Sequence, residues 1–246
     1  MKKNILLLGH RGYRAKYPEN TLLSFKKAFE SGADGIECDI QKTKDGVFVI
    51  IHDETIDRTA SNGKKGSVAL MKYSDLKKIT FGSRQHIPEL TEFLESLPKD
   101  VVVNLELKEE TLTVDDLPGL SAVIIKFSGN QRLLVSSFEH SLLPYFKSQG
   151  IAIGMLVGSA HRPLGGLGLL WRIIRIKPDY MNLSIKMFDS LGDRKSRILL
   201  WLLKRLGCRI VFWTVNTESE FEKAYRHGDI IITDNVEDIR GKMKNK

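Results

Sequence analysis

His10, Glu37, Asp39, His52, Glu106 and Lys108 each stand at or just past the end of a short apolar run. Ile5-Leu6-Leu7-Leu8-Gly9 leads into His10-Arg11-Gly12, and Gly35-Ile36 leads into Glu37-Cys38-Asp39. Val47-Phe48-Val49-Ile50-Ile51 stops at His52-Asp53, and Val101-Val102-Val103-Asn104-Leu105 gives Glu106-Leu107-Lys108. Side chains two apart on a strand point the same way. Glu37 and Asp39 therefore share a face, Cys38 takes the other, and Glu106 shares a face with Lys108. Two inward carboxylates beside a third from another strand make a poor core. They do make an oxygen-rich cage for a hard cation, Mg²⁺ or Ca²⁺. With no cysteine in the set, zinc is disfavoured.

Two imidazoles beside such a cage can exchange protons near neutrality, because the ordinary histidine pKa is about 6.5. Taken singly, either histidine is as well explained by a structural hydrogen bond. Together with three carboxylates, His10 and His52 fit general acid–base chemistry on an anionic substrate. Arg11 and Lys108 can neutralise phosphate oxygens as charge accumulates. Ion pairs to the neighbouring carboxylates are the plainer alternative for both, and the two roles are compatible. Trp213 ends another apolar run and either packs on substrate or fills the core.

These groups converge only if the runs are parallel strands ending on one rim, where α/β barrels keep their chemistry. Strand-like stretches near 5–9, 34–40, 47–51, 101–107, 133–136, 151–157, 180–183, 209–215 and 229–233 alternate with helical ones. The helical stretches follow Asn20-Thr21 and cover 89–97, 115–127, 139–149, 190–206 and 218–227. That alternation predicts helices packed over a parallel sheet. The rhythm fails after Asp53, where turn residues crowd around Ser61 to Gly66 and one short helix fits 74–78. The expected fold is an α/β TIM (β/α)8 barrel in a single domain over 1–246. A small insertion at 54–88 follows the second barrel strand region. The basic tail from Arg240 to Lys246 is expected to fray, and Phe25 and Phe138 to lie in the core.

The chain has 246 residues, close to the roughly 250 of a single such barrel. A hydrophobic content of 42% and a charged content of 28% are those of a globular domain. The net charge of +8 favours anionic partners. No helix-turn-helix, zinc finger or basic-aromatic stripe marks a nucleic-acid binder. Cys38 and Cys208 belong to no metal or disulfide framework and read as reduced thiols. Only four apolar residues separate Asn4 from Gly9, too few for a secretory core of roughly 7–15. Cytoplasmic residence is expected, with peripheral membrane contact as a further option. That option rests on the apolar stretch from Pro163 to Ile176, where Leu164, Leu167, Leu169, Leu170, Trp171, Ile173 and Ile174 lie among cations. An ordinary barrel helix explains the stretch more simply. Leu199 to Leu203 with Lys204 and Arg205 has the same ambiguity. Gly165-Gly166-Leu167-Gly168 lacks the spacing of a nucleotide loop and reads as a flexible loop.

His10-Arg11-Gly12, Pro18-Glu19-Asn20-Thr21, Glu37-x-Asp39, His52-Asp53 and Glu106-x-Lys108 also carry a family resemblance. Ser137-Phe138, Trp213-Thr214-Val215-Asn216 and Thr233-Asp234 extend it across nearly the whole chain. In order and spacing these motifs resemble the glycerophosphodiester phosphodiesterases. The chain departs from the family pattern at His227-Gly228-Asp229-Ile230, at Val236 and at Pro88-Glu89-Leu90. The resemblance implies a barrel with an insertion after His52-Asp53, and a divalent metal held by Glu37, Asp39 and Glu106. It also implies acid–base catalysis by His10 and His52. The implied substrate is a small glycerophosphodiester, attacked at phosphorus by its own glycerol 2-hydroxyl through a cyclic phosphate. An alternative keeps the site and takes lysophospholipids, as a lysophospholipase D.

Overall fold

The computed structural model of the chain describes residues 5–61, 63–158 and 166–246. Its strands are β1 (Leu6–His10), β2 (Gly35–Lys42), β3 (Phe48–Ile50), β4 (Val102–Leu107), β5 (Arg132–Ser137), β6 (Ala152–Val157), β7 (Tyr180–Ser184), β8 (Arg209–Trp213) and β9 (Ile230–Thr233). All but β3 run parallel in the order β1-β9-β8-β7-β6-β5-β4-β2, and pairing of β1 with β2 closes the ring. The helices are α1 (Leu22–Glu30), α2 (Tyr73–Leu76), α3 (Leu90–Ser96), α4 (Leu117–Phe127), α5 (Leu143–Ser148), α6 (Gly166–Ile176), α7 (Ile185–Ser190), α8 (Asp193–Arg205), α9 (Glu218–His227) and α10 (Val236–Lys244). The architecture is the expected TIM barrel.

Strand alternation divides the apolar residues into two sets. Leu7, Ile36, Cys38, Val103 and Leu105 point outward into the core shared with the helices. Leu8, Val102, Val211, Ile230 and Ile232 fill the interior of the barrel. Further along β4, Asn104 and then Glu106 follow Val102 on that inward face, so the interior passes from aliphatic to amide to carboxylate. On this face of β4 the charged group thus lies at the carboxyl-terminal rim. Outside, α1 begins where the Thr21 hydroxyl accepts the Ser24 amide at 3.2 Å, and it buries Phe25 and Ala28.

The run at 47–51 is not a barrel strand. It forms β3, antiparallel to the outer end of β2, with Ile40 opposite Ile50 and Lys42 opposite Phe48. A tight turn joins them, with Thr43 N bonded to Val47 O at 3.0 Å and Gly46 at a φ of 81°. The chain passes the rim, turns and descends, so that Ile51 N meets Asp39 O at 3.0 Å. A short apolar run bounded by turns has the same pattern in either strand direction, hence the difference. Between β3 and α3, residues Ile56, Val68, Leu76, Ile79, Phe81 and Ile87 join Val49 and Ile51 in a small apolar cluster of their own.

Three other segments differ from expectation. The stretch at 190–206 holds α8, which starts only at Asp193, because Gly192, at a φ of 74°, separates it from α7, a further helix over 185–190. The basic tail is mostly helical. Arg240 of α10 donates to Gly32 O at 2.7 Å and Asp34 Oδ2 at 2.6 Å, tying the tail to the start of β2. Gly166 to Gly168 form the first turn of α6 rather than a loop; Gly165, with Pro163, Leu164 and Met1 to Asn4, lies outside the described residues. Cys38 and Cys208 are buried free thiols.

Candidate active site

The register of β1, β2 and β4 sets Glu37 beside His10 and Asp39 beside Glu106. One carboxylate oxygen from each of Glu37, Asp39 and Glu106 lies within 4.8 Å of the others. Glu37 and Asp39 are only 3% and 1% exposed. Burial, reinforced by the charges of Asp39 and Glu106, pushes the Glu37 carboxyl well above the usual carboxylate range. Burial alone would raise Asp39 too, but Lys108, Arg11 and His52 outweigh it and hold that carboxyl well below its ordinary value. The Glu37 side is short of positive charge. A divalent cation coordinated by hard oxygen donors supplies such charge, and the three carboxylates fit it.

The cations at the site are paired. Lys108 Nζ lies 2.9 Å from Asp39 Oδ1 and also pairs with Glu106. Arg11 reaches Glu19 at 2.9 Å and Asp39 at 3.3 Å. Asn20 donates to Asp39 Oδ2 at 2.9 Å. The ion pairs foreseen as the plainer alternative are therefore present, on the same rim as the carboxylate cluster. The turn that aims Arg11 inward is tight. Gly12 has a φ of 85°, and a Cβ there would meet Ser24 Oγ at 2.3 Å, so glycine is required.

Each histidine is oriented by a carboxylate. His10 Nδ1 lies 2.6 Å from Asp234 Oδ1, just past β9, and Asn216 Nδ2 donates to Asp234 Oδ2 at 2.7 Å. A donating Nδ1 leaves His10 Nε2 as the acceptor, 3.8 Å from Glu37 Oε2. Burial lowers the His10 pKa below 6.5 and outweighs the hydrogen bond to Asp234, which raises it. His52 Nδ1 lies 2.7 Å from Asp53 Oδ1. Arg58 Nε donates to Asp53 Oδ2 at 2.6 Å, and its other nitrogens reach Glu19 at 2.7 Å and 3.0 Å. His10 thus stands on the Glu37 side of the cluster, and His52 on the side of Asp39 and Glu106.

A cleft of ≈ 550 Å³ opens between His52, Asp53, Glu106, Lys108 and Phe138. Phe138, expected in the core, is half-buried and lines this cleft because it sits just past the end of β5, beyond the packed layer. Trp213 meets Phe138 edge-on, with centroids 5.8 Å apart, and its Nε1 donates to Asn182 O at 3.0 Å. Asp234, Asp53, Glu19 and Asn20 stand within the motifs of the family resemblance without a site role assigned there, and Arg58 lies outside those motifs. Asp234 follows an apolar run, Ile230 to Ile232, as the other rim residues do, so that signal was available.

Comparison with known proteins gives a consistent picture. Residues 10–238 match the model of the glycerophosphoryl diester phosphodiesterase family. A glycerophosphodiester phosphodiesterase of Caldanaerobacter subterraneus subsp. tengcongensis is 35% identical, over 95% of this chain and 96% of its own. The crystal structure of a glycerophosphodiester phosphodiesterase from Thermotoga maritima superposes with a TM-score of 0.80 at 30% identity, covering 97% of this chain and 98% of that one. An Oleispira antarctica phosphodiesterase, solved with the product sn-glycerol-3-phosphate, superposes with a TM-score of 0.83 at 25% identity, covering 98% and 97%.

Proposed function

The chain belongs to the glycerophosphoryl diester phosphodiesterase family and is a phosphoric diester hydrolase, and on that premise we propose how it works. It cleaves small glycerophosphodiesters to glycerol 3-phosphate and an alcohol such as choline or ethanolamine. Glu37, Asp39 and Glu106 hold a divalent ion, Mg²⁺ or Ca²⁺. When bound, that ion supplies Lewis-acid stabilisation of phosphate charge and a template for the reacting oxygens. Lys108 and Arg11 bind the phosphate oxygens, and Trp213, with Phe138, borders the path of the leaving alcohol.

His10 and His52 divide the proton transfers. One imidazole takes the proton of the glycerol 2-hydroxyl as that oxygen attacks phosphorus. The other donates a proton to the departing alcohol oxygen. The roles reverse as water opens the cyclic phosphate. Asp234 and Asp53 each fix one tautomer, leaving both Nε2 atoms for the substrate. A neutral His10, favoured by its burial, suits the accepting role in the free enzyme.

The observation that carries this reading is the convergence of three carboxylates between two carboxylate-oriented imidazoles. No observation favours the lysophospholipid alternative. Cytoplasmic residence belongs to the same proposal and is supported by the two buried free thiols. The test is release of glycerol 3-phosphate from glycerophosphocholine, measured with chelator and after Mg²⁺ or Ca²⁺ is restored. Turnover should vanish and return. Undiminished turnover in chelator would remove the metal from the proposal, and no release under any condition would remove the substrate class.

A further inference from the structure

One flank of the barrel is built from α6 and α8, which follow the neighbouring strands β6 and β7. Each helix buries one face. Leu169 and Ile173 of α6, and Leu200 and Leu203 of α8, join the main core. The other face of each is apolar as well. Trp171 is 59% exposed and Trp201 58%, with Ile174, Ile198 and Leu202 beside them. A helix that only covers a barrel carries polar residues there. Arg175 stacks over Trp171 at 5.2 Å and Arg205 over Trp201 at 5.5 Å, so the same pairing of Trp with Arg four residues on occurs on both helices. The charge along these two stretches is predominantly positive, although α8 opens at Asp193 and Arg197 shares a second hollow with Glu222. From Gly166 to Lys177 and from Arg194 to Arg209 the sequence contains no Asp or Glu, while Arg172, Arg194, Arg197 and Lys204 add to the two stacked arginines. Arg194, Arg197, Ile198 and Trp201 line an open hollow of ≈ 660 Å³.

We propose that this α6–α8 face docks the protein on an anionic lipid bilayer. The tryptophans and isoleucines enter the interface between headgroups and acyl chains, and the arginines bind lipid phosphates. Charge complementarity selects this occupant. A second copy of the chain would bring the same cations against cations, which disfavours self-association through this face. Exposed isoleucine and leucine beside the tryptophans suit acyl chains, which a nucleic acid lacks. The proposal is independent of the reaction assigned above, since none of these residues touches the rim site.

The experiment is co-sedimentation of the full chain with vesicles of phosphatidylcholine alone, or of equal parts phosphatidylcholine and phosphatidylglycerol. Wild type should sediment with the anionic vesicles and remain in solution with the neutral ones. Raising salt from about 0.1 M to about 1 M, which cuts the Debye length from ~10 Å to ~3 Å, should release it. A Trp171→Ser/Trp201→Ser variant should bind about tenfold more weakly or less, as expected for two lost interfacial aromatics. Arg175→Glu/Arg205→Glu should do the same. Both variants should keep wild-type hydrolysis of soluble glycerophosphocholine, or wild-type circular dichroism if that substrate is not turned over. Equal sedimentation of wild type and both variants would overturn the proposal, as would absence of wild type from the anionic pellet. So would a concentration-dependent dimer that the tryptophan variant abolishes, because the face would then belong to a second copy.

Discussion

The two histidines of the rim are held in opposite ways. His10 ends a barrel strand, is only 14% exposed, and takes its carboxylate partner from the end of a neighbouring barrel strand, 224 residues away in sequence. His52 follows the descending arm of a hairpin, is more exposed, and takes its partner from the next residue. Asp53 is in turn braced by Arg58, from the segment with its own apolar cluster. One imidazole is thus positioned by the closed sheet and the other by an appendage seated above it. The same chemical pair is built on two supports with separate apolar clusters, and substitutions in the two supports should separate them.

The largest effect removes the groups themselves. His10→Ala and His52→Ala should each lower kcat by about 10²- to 10⁴-fold, the usual contribution of a positioned acid or base, without loss of fold by circular dichroism. Near-normal turnover in either variant would end the symmetry of their roles. Next come the supports. Phe81, 4% exposed in the appendage, and Phe212, buried in the main core, should each lose about 3–5 kcal/mol on truncation to Ala. Phe81→Ala should open the appendage locally, with loss of activity and of amide protection between β3 and α3, while the barrel keeps its melting temperature. Phe212→Ala should lower the melting temperature of the whole. If both variants melted as one cooperative unit, the appendage would be as rigid as the barrel.

Smaller effects follow from the orienting carboxylates. Asp234→Asn and Asp53→Asn should each lower kcat by no more than loss of the imidazole itself, about 10²- to 10⁴-fold. Arg58→Ala should act through Asp53 and also through Glu19, the partner of Arg11, so its effect should overlap with that of Asp53→Asn without vanishing in the double variant. The smallest effect is in acid stability. Burial would raise the Asp234 carboxyl, but hydrogen bonds from His10 and Asn216 hold it below 3.8; burial likewise opposes Asp53, which Arg58 and His52 hold low. A carboxyl depressed on folding stabilises above its unfolded value and loses that contribution as pH falls through the folded one. Below about pH 3.8 the urea midpoint of wild type should therefore fall more steeply than that of Asp234→Asn, with a lesser difference for the more exposed Asp53.

The same contrast explains what the sequence made legible. Glu37, Asp39 and Glu106 could be read because strand alternation is local and the sheet only had to be parallel. His10 followed for the same reason. The direction of β3 could not be read, since five apolar residues between turns pack equally well ascending or descending. The bond between His10 and Asp234 joins the two ends of the chain through barrel closure, and no periodicity encodes it. The helix at the carboxyl terminus was hidden by its lysines, because Val236 and Ile239 alone supply its buried face. On α6 and α8 the apolar content was plain, but which tryptophans faced outward depended on where each helix met the sheet.

The central claim, that Glu37, Asp39 and Glu106 form one cation site between the two imidazoles, is tested most directly by calorimetric titration. Wild type, Glu37→Gln and Glu106→Gln would be titrated with Mg²⁺ and with Ca²⁺. Wild type should bind one ion saturably with at least one of the two metals, and both variants should bind it far more weakly or not at all. Binding of equal strength in wild type and both variants, or no binding by wild type, would contradict the account.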